Sequence, residues 1–348
     1  MVKRMTKIAI NGFGRIGRIF LRQAYGVKGL DIVAINDLGD KENLAYLLKY
    51  DTVYGRYGRD VGVKNGNLTV DGKEIACFQV KEPKDLPWKK LGIDVVIEST
   101  GIFESFEKAK VHLDQGAKRV VLTSPAKDDS STSSGPSVGK TVLMGINEGE
   151  LETTELSSNA SCTTNAASPV IQVLSENPGI AKAILNTVHG YTATQNIVDG
   201  PTKGKDFRRG RAAAQNIVPS TTGAAVSVGK IIKELTGKFD GIAMRVPTVT
   251  GSIADITFVA KRKTSVEEIN KILTRAAAEK RWQGILKVTS EQLVSSDIVG
   301  EPYGAIVDLN FTKVIDGDLV KVLSWYDNEW GYVSTLVRHV EAVAKLLS

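Results

Sequence analysis

Six residues near the N-terminus constrain this chain more than any other feature. They are Gly12-Phe-Gly14-Arg-Ile-Gly17, set directly after the apolar, strand-like Ile8-Ala-Ile10 and opening into a helix-like stretch from Arg15 to Tyr25. Glycine-rich turns are common, so the spacing alone says little. The context says more: Asp31 to Asn36 reads as the next strand, and Asp37 closes it 20 residues beyond Gly17. Gly12 permits the tight turn, Gly14 lets a diphosphate approach the backbone, and Gly17 lets helix and strand pack closely. The helix N-terminus then faces the diphosphate with its free amides. Asp37 accepts hydrogen bonds from a ribose and repels an added 2′-phosphate, which favours NAD over NADP. A strand–helix–strand unit that binds a dinucleotide is the expectation.

The remainder of the first half keeps the same alternation. Asp94 to Glu98 and Arg119 to Thr123 read as strands, with a helical Glu104 to Gln115 between them. This implies an α/β fold with a Rossmann-type, doubly wound parallel sheet. After about Ser161 the pattern turns β-rich, with runs at 184–192, 241–246, 252–261, 305–313 and 319–326, a helix-like 265–281 and a terminal helix. That predicts a second, α+β domain built on a mixed or antiparallel sheet. The boundary falls near Ser157–Ser161. Residues 1–160 are expected to bind the dinucleotide and 161–328 to carry catalysis and oligomerisation, with the terminal helix, 329–348, packing back on the first domain.

Composition narrows the classes of function. A length of 348 residues suits two domains of roughly 150, and 42% hydrophobic with 24% charged residues is globular rather than disordered. No apolar run approaches the ~18 residues of a membrane span. Met1 to Lys7 leads straight into a strand, so no signal peptide is expected. Two cysteines, Cys77 and Cys162, make no disulfide framework, which points to the reducing cytoplasm. The net charge of +6 suits nucleic acid or anionic metabolites equally.

The second chemical signal is Ser158-Asn-Ala-Ser-Cys162-Thr-Thr-Asn165, leading into a helix-like Ala166 to Glu176. So many capping residues put Cys162 at a helix N-terminus. There the helix dipole lowers a thiol pKa toward the nucleophilic thiolate. Cys77, in Ile75-Ala-Cys-Phe78, reads as an ordinary small core residue. Of the three histidines, His112 and His339 fall within helices and read as structural or solvated. His189 ends an apolar strand where polar residues take over, and it suits a proton-accepting partner for Cys162. No His/Cys cluster has metal-site spacing, so no metal is expected.

A dinucleotide site plus an activated cysteine fits aldehyde oxidation through a thioester. The segment Thr202 to Arg211 is strongly basic, Arg245 lies within the apolar strand Ile242 to Pro247, and Thr221-Thr-Gly223 opens a helix. A buried arginine needs an anionic partner, and an anionic substrate supplies one. Gly135 to Thr141 resembles a triphosphate-binding loop. It has three residues between its glycines where that loop needs four, and a strand-like Val142-Leu-Met follows where a helix is required. A polar surface loop is the better reading.

The segments Ile8 to Arg18, Ser158 to Asn165 and Trp325-Tyr-Asp-Asn-Glu-Trp-Gly-Tyr332 resemble the phosphorylating glyceraldehyde-3-phosphate dehydrogenases over essentially the whole chain. The resemblance implies Cys162 as nucleophile and His189 as the base that assists it. It implies NAD contacts from Gly12, Gly14, Arg15, Ile16, Asp37, Thr100, Gly101, Ser124 and Asn328. One phosphate pocket, for glyceraldehyde 3-phosphate itself, would use Thr192, Thr194 and Arg245. The other, for inorganic phosphate, would use Ser161, Thr163, Thr222 and Gly223, with Arg209 between the two. Leu38 and Pro201 resemble NAD-preferring members. The family is a homotetramer whose loop, here about Thr194 to Asn216, lies at a subunit interface. Two features depart from the family: Ala166 replaces a frequent second cysteine, and the Ser/Asp-rich stretch 128–140 is long. Erythrose-4-phosphate dehydrogenase is the near alternative, and a nucleic-acid-binding side role the distant one, though aromatic residues total only 6% and form no stacking platform.

Overall fold

The computed structural model describes residues 4–129, 138–202 and 205–347. They form two compact units: one ends at Ala160 and is taken up again from Leu336, the other runs from Ser161 to Thr335. Most of the long 128–140 stretch lies outside the described residues.

The first unit opens with β1 (Thr6–Asn11), α1 (Arg15–Ala24), β2 (Leu30–Asn36) and α2 (Lys41–Lys49). A small hairpin, β3 (Tyr50–Asp51) and β4 (Gly55–Arg56), leads to β5 (Val61–Lys64), β6 (Asn67–Val70) and β7 (Lys73–Phe78). Then come α3 (Trp88–Leu91), β8 (Val95–Glu98), α4 (Phe106–Ala109), α5 (Val111–Asp114), β9 (Arg119–Leu122), β10 (Lys140–Thr141) and β11 (Leu156–Ser158). The strand order is β10-β11-β9-β8-β1-β2-β7-β6-β5. Every pairing from β10 to β7 is parallel, while β5, β6 and β7 pair antiparallel. Ile8, Ile10, Val95, Val96, Ile97, Val120 and Val121 are fully buried, as continuous apolar strands covered on both faces must be.

The chain lays β2 on one side of β1 and β8 on the other. This creates a topological switch point at the carboxyl ends of β1 and β8, where α/β sheets bind ligands. Asn11 and Glu98 end these two strands in register. The strand at Lys140 pairs in parallel with β11. A Cβ on Gly139 would meet the Phe106 ring at 2.5 Å, so packing explains this glycine without a phosphate.

The second unit contains α6 (Cys162–Glu176), β12 (Ile180–Gly190), β13 (Val218–Thr221), α7 (Ala224–Ile231), β14 (Phe239–Val246) and β15 (Ser252–Ala260). It continues with α8 (Val266–Ala278), β16 (Leu286–Thr289), β17 (Ala305–Ile315) and β18 (Leu319–Tyr326), and α9 (Trp330–Leu346) closes the chain. The strands form a mixed sheet in the order β13-β14-β12-β15-β18-β17-β16. Alternate residues of β15 and β18 are buried, and α6 and α8 pack on this sheet. That period of two marks a sheet with one face in the core. Among the described residues no helix is long and apolar enough to cross a membrane.

Both histidines read as structural or solvated are fully buried. His339 Nε2 lies 2.8 Å from Ser157 Oγ, and burial pushes the imidazole down to about 4. An unfolded histidine takes up a proton near pH 6.5, so the unfolded chain binds the extra proton first as pH falls. The stability that neutral His339 contributes is therefore complete above about pH 6.5 and drains away toward pH 4, by at most ~1.4 kcal/mol per pH unit. Urea melts across this range should show a shallower acid slope for His339→Gln than for the parent. An identical slope would assign the acid sensitivity to other groups.

Candidate active site

The fingerprint glycines divide by what surrounds them. Gly12 has φ +92°, and a Cβ there would lie 2.6 Å from Thr100 N, so the turn after β1 and the loop after β8 touch backbone to backbone. A Cβ on Gly17 would strike the Gly12 carbonyl oxygen at 2.2 Å. Gly14, the N-cap of α1, has nothing within 4 Å of its missing Cβ and no side-chain cap bond. Packing thus requires two of the glycines, while the third leaves open space against the helix amides, as a bound diphosphate needs. Arg15 and Ile16 form the first turn. The Arg15 guanidinium is held by Asp51 at 2.6 Å, leaving its backbone amide as the group directed along the helix start.

Asp37 is half-buried. Its Oδ2 accepts from Phe13 N at 2.7 Å and its Oδ1 from Gly39 N at 2.8 Å, so the carboxylate is fixed beside the glycine turn. Thr100 and Gly101 (φ +69°) follow β8. Ser124 follows β9, and its carbonyl accepts from Ser158 Oγ at 2.7 Å. Asn328 stands in the second unit, buried, with Oδ1 accepting from Ser252 Oγ at 2.7 Å and Thr250 Oγ1 at 3.2 Å.

In the second unit Ser161 caps α6 by accepting from Thr164 N at 3.1 Å, and Cys162 is the first helical residue. Its Sγ lies 3.3 Å from His189 Nε2, at the end of β12. His189 Nδ1 is 2.6 Å from the Gly190 carbonyl oxygen and also 2.6 Å from Arg245 Nη1. A guanidinium only donates and a carbonyl only accepts, so one Nδ1 cannot serve both. Arg245 Nη1 reaches the same carbonyl at 3.1 Å. With the ring proton on Nδ1 and pointed at Gly190, every group keeps a partner and Nε2 is bare toward the sulfur.

Electrostatics correct the expectation that the helix end lowers the Cys162 pKa toward a thiolate. Burial pushes this thiol up, and the opposing pulls of Arg245, Thr163 and its own amide are smaller. Burial first, then Arg245, hold His189 down at about 3, so at neutral pH the imidazole is an unprotonated acceptor. Cys77 is half-buried and accepts from Leu68 N, and burial raises it too, as befits a core thiol.

Sequence reasoning missed Tyr326. Its hydroxyl joins Thr163 Oγ1 at 2.9 Å to Thr187 Oγ1 at 2.7 Å, and its ring stands edge-on to His189 at 5.9 Å. The Trp-Tyr pair within Trp325 to Tyr332 was the available signal. Thr192 and Thr194 bond through their hydroxyls at 2.9 Å, and Arg209 donates to Thr194 at 3.2 Å. Arg209 also acts on both His189 and Arg245 through space. Arg245 Nε is buried without a partner among the described residues, as a site awaiting an anion would leave it. Thr222 and Gly223 begin α7, which packs on α6. In the basic segment Arg208 pairs with Asp206 and Arg211 with Asp199.

An NAD-type sheet and a second unit that sets a cysteine against a neutral imidazole define an NAD-dependent oxidoreductase. Residues 6–106 match the NAD binding domain of glyceraldehyde 3-phosphate dehydrogenase, and residues 161–328 its C-terminal domain. Glyceraldehyde-3-phosphate dehydrogenase of Clostridium pasteurianum is 47% identical over 346 residues, 98% of this chain and 99% of its own. The Mycobacterium tuberculosis protein of that name is 47% identical over 350 residues, with 98% and 99% covered. That of Streptomyces coelicolor is 46% identical over 335, with 95% and 96% covered. The chain belongs to the glyceraldehyde-3-phosphate dehydrogenase family.

Gly14→Ala should fold with unchanged Tm, because its Cβ enters open space, yet lose NAD affinity severalfold in calorimetric titration. Gly17→Ala should lower Tm, because its Cβ meets backbone. Full NAD affinity in Gly14→Ala would remove the diphosphate from this helix end.

Proposed function

We propose that this protein is a glycolytic enzyme that oxidises D-glyceraldehyde 3-phosphate with NAD and inorganic phosphate to 1,3-bisphosphoglycerate. The observation that carries this reading is Cys162 Sγ at 3.3 Å from an unprotonated His189 Nε2. As the sulfur adds to the aldehyde carbon, its proton passes to Nε2, which balances the burial that otherwise holds the thiol protonated. Nε2 returns that proton to the former aldehyde oxygen, completing the thiohemiacetal, and takes it back from the hydroxyl as the carbonyl re-forms. NAD supplies the acceptor for the hydride that leaves the substrate carbon. Inorganic phosphate then attacks the thioester and sheds its own proton to solvent, the acyl phosphate departs, and the leaving Cys162 sulfur takes back the proton held on Nε2.

Arg245 has two uses in this reading. Its charge stabilises thiolate, and its unpartnered Nε supplies a donor to the substrate's phosphate, with Thr192, Thr194 and Arg209 completing that pocket. Ser161, Thr163, Thr222 and Gly223 hold the attacking phosphate at the paired starts of α6 and α7. Gly12, Gly14, Arg15, Ile16, Asp37, Thr100, Gly101, Ser124 and Asn328 hold NAD. Ile197, Val198, Phe207 and Ile217 are exposed apolar residues of the basic loop region, and we read them as subunit contacts of a homotetramer. Two free thiols suit the cytoplasm.

Cys162→Ser should abolish aldehyde oxidation while NAD still binds, and substantial remaining turnover would end the nucleophile assignment. His189→Asn should slow iodoacetamide alkylation of Cys162 at neutral pH, since the sulfur loses its proton acceptor. A paired assay decides the substrate: turnover with glyceraldehyde 3-phosphate should exceed that with erythrose 4-phosphate, need NAD rather than NADP, and require phosphate. The reverse preference would make the erythrose phosphate the substrate. Light scattering should give the mass of four chains.

A further inference from the structure

Glu98 lies buried at the carboxyl end of β8, against the switch point of the parallel sheet. Four donors converge on its carboxylate. Oε2 takes Asn11 Nδ2 at 2.6 Å and His112 Nε2 at 3.0 Å. Oε1 takes Thr100 N at 2.9 Å and Thr100 Oγ1 at 2.5 Å.

The two inner donors are locked from behind. Trp88 Nε1–H can only donate, and it points at His112 Nδ1 from 3.1 Å, so the single ring proton sits on Nε2 and faces Glu98. Asn11 Oδ1 accepts from Asn36 Nδ2 at 2.8 Å, which turns the Asn11 amide nitrogen toward Glu98. Asn36 is fixed in turn by Val80, accepting from its amide and donating to its carbonyl, both at 2.9 Å. The four contacts thus engage both oxygens of the Glu98 side chain.

Its outward oxygen is spent differently, on a loop near the surface. Thr100 is half-exposed and Ile102 exposed. Thr100 Oγ1, having donated to Glu98, accepts from Ile102 N at 3.1 Å, and Ser99 Oγ donates to the Gly12 carbonyl at 2.6 Å. Tying down an exposed turn adds little to the core, but it fixes the backbone that meets the glycine turn. Paying such ordering in advance is how a site gains affinity for its ligand.

We propose that Glu98, oriented by Asn11 and the Trp88–His112 pair, is a positioning residue that holds the Ser99–Ile102 loop in the conformation that binds NAD. This rests on the reading that Thr100 and Gly101 contact the cofactor. Glu98→Gln keeps the shape and removes one accepting oxygen. Because Asn11 and His112 cannot turn, the amide oxygen serves them and its NH₂ faces the Thr100 amide.

The test measures NAD affinity by calorimetry on the full chain, together with steady-state kinetics and Cys162 alkylation without NAD. Glu98→Gln should raise Kd and KM for NAD by about tenfold or more, the scale of losing a charge-assisted bond. Its kcat at saturating NAD and its alkylation rate should stay near those of the parent. Thr100→Val leaves the buried cluster intact and should also raise Kd, and Thr100→Ser, which restores the hydroxyl, should recover it. Wild-type affinity in Thr100→Val and in a folded Glu98→Gln would overturn the proposal, as would equal losses in kcat and alkylation. If Glu98→Gln fails to fold, the Thr100 pair decides. Gly14→Val separates the two levels: if it abolishes NAD binding while the Glu98 and Thr100 variants change nothing, only the positioning role falls. If NAD binds Gly14→Val normally, the placement of the cofactor falls with it.

Discussion

A sulfur at a half-buried helix start is useful only if the proton it sheds has somewhere to go. That constraint explains most of the second unit. Burial drives both partners of the Cys162–His189 pair toward neutrality, the thiol upward and the imidazole downward, and Arg245 adds to the fall of the imidazole. At rest the thiol keeps its proton, and Nε2 stands 3.3 Å away to receive it as the sulfur bonds to carbon. The Gly190 carbonyl makes this possible by holding the other ring proton. β12 ends on that His-Gly pair, and parallel pairing with β14 sets His189 in register with Arg245. The mixed sheet thereby fixes a cation next to the imidazole by strand register, and Arg245 Nη1 reaches the Gly190 carbonyl at 3.1 Å.

The first unit solves a different problem: bringing two backbone turns into direct contact. Absent Cβ atoms do most of this. Gly12 gives up its side chain so that Thr100 can lie against it, and Gly17 so that α1 can lie against the turn. Close approach without cross-links would leave the second turn loose. The buried carboxylate of Glu98 supplies the cross-link, reaching Asn11 at the end of β1 and Thr100 beyond β8. The family relationship accounts for the NAD chemistry; this cluster accounts for how the turn is held.

Much of this was legible in the sequence where the physics is local. The apolar runs of β1, β8 and β9 are buried parallel strands, β2 joins them with Val33 half-buried, and Ser161 caps α6 as its residue type suggests. The antiparallel edge β5–β7 went unread, although its hairpin signals were present. Asn65-Gly66 and Asp71-Gly72 both have positive φ, the conformation of tight two-residue turns. Their strands are short and partly polar, so hydrophobic pattern alone did not reveal them. The thiol went the other way: its helix end was readable, but its surroundings were not, because Arg245 and Tyr326, which interact with it electrostatically, lie far away in the chain. His112 was invisible for a related reason. Its partners are Trp88 and Glu98, and nothing in its own helix marks it.

The positive charge shows how far composition can mislead. A balance of +6 invites a polyanion, yet charges of the most basic segment are spent locally, Arg208 on Asp206 and Arg211 on Asp199. Arg245, beside the thiol and the imidazole, contributes one unit to that sum and sits half out of sight on β14. Its value comes from desolvation: with water excluded, one guanidinium beside a thiol and an imidazole acts on both more strongly than several would at a surface. A small phosphate is the ligand such a site suits, because one buried, geometrically fixed cation rewards a compact dianion that fits it and offers nothing to a long one that cannot enter.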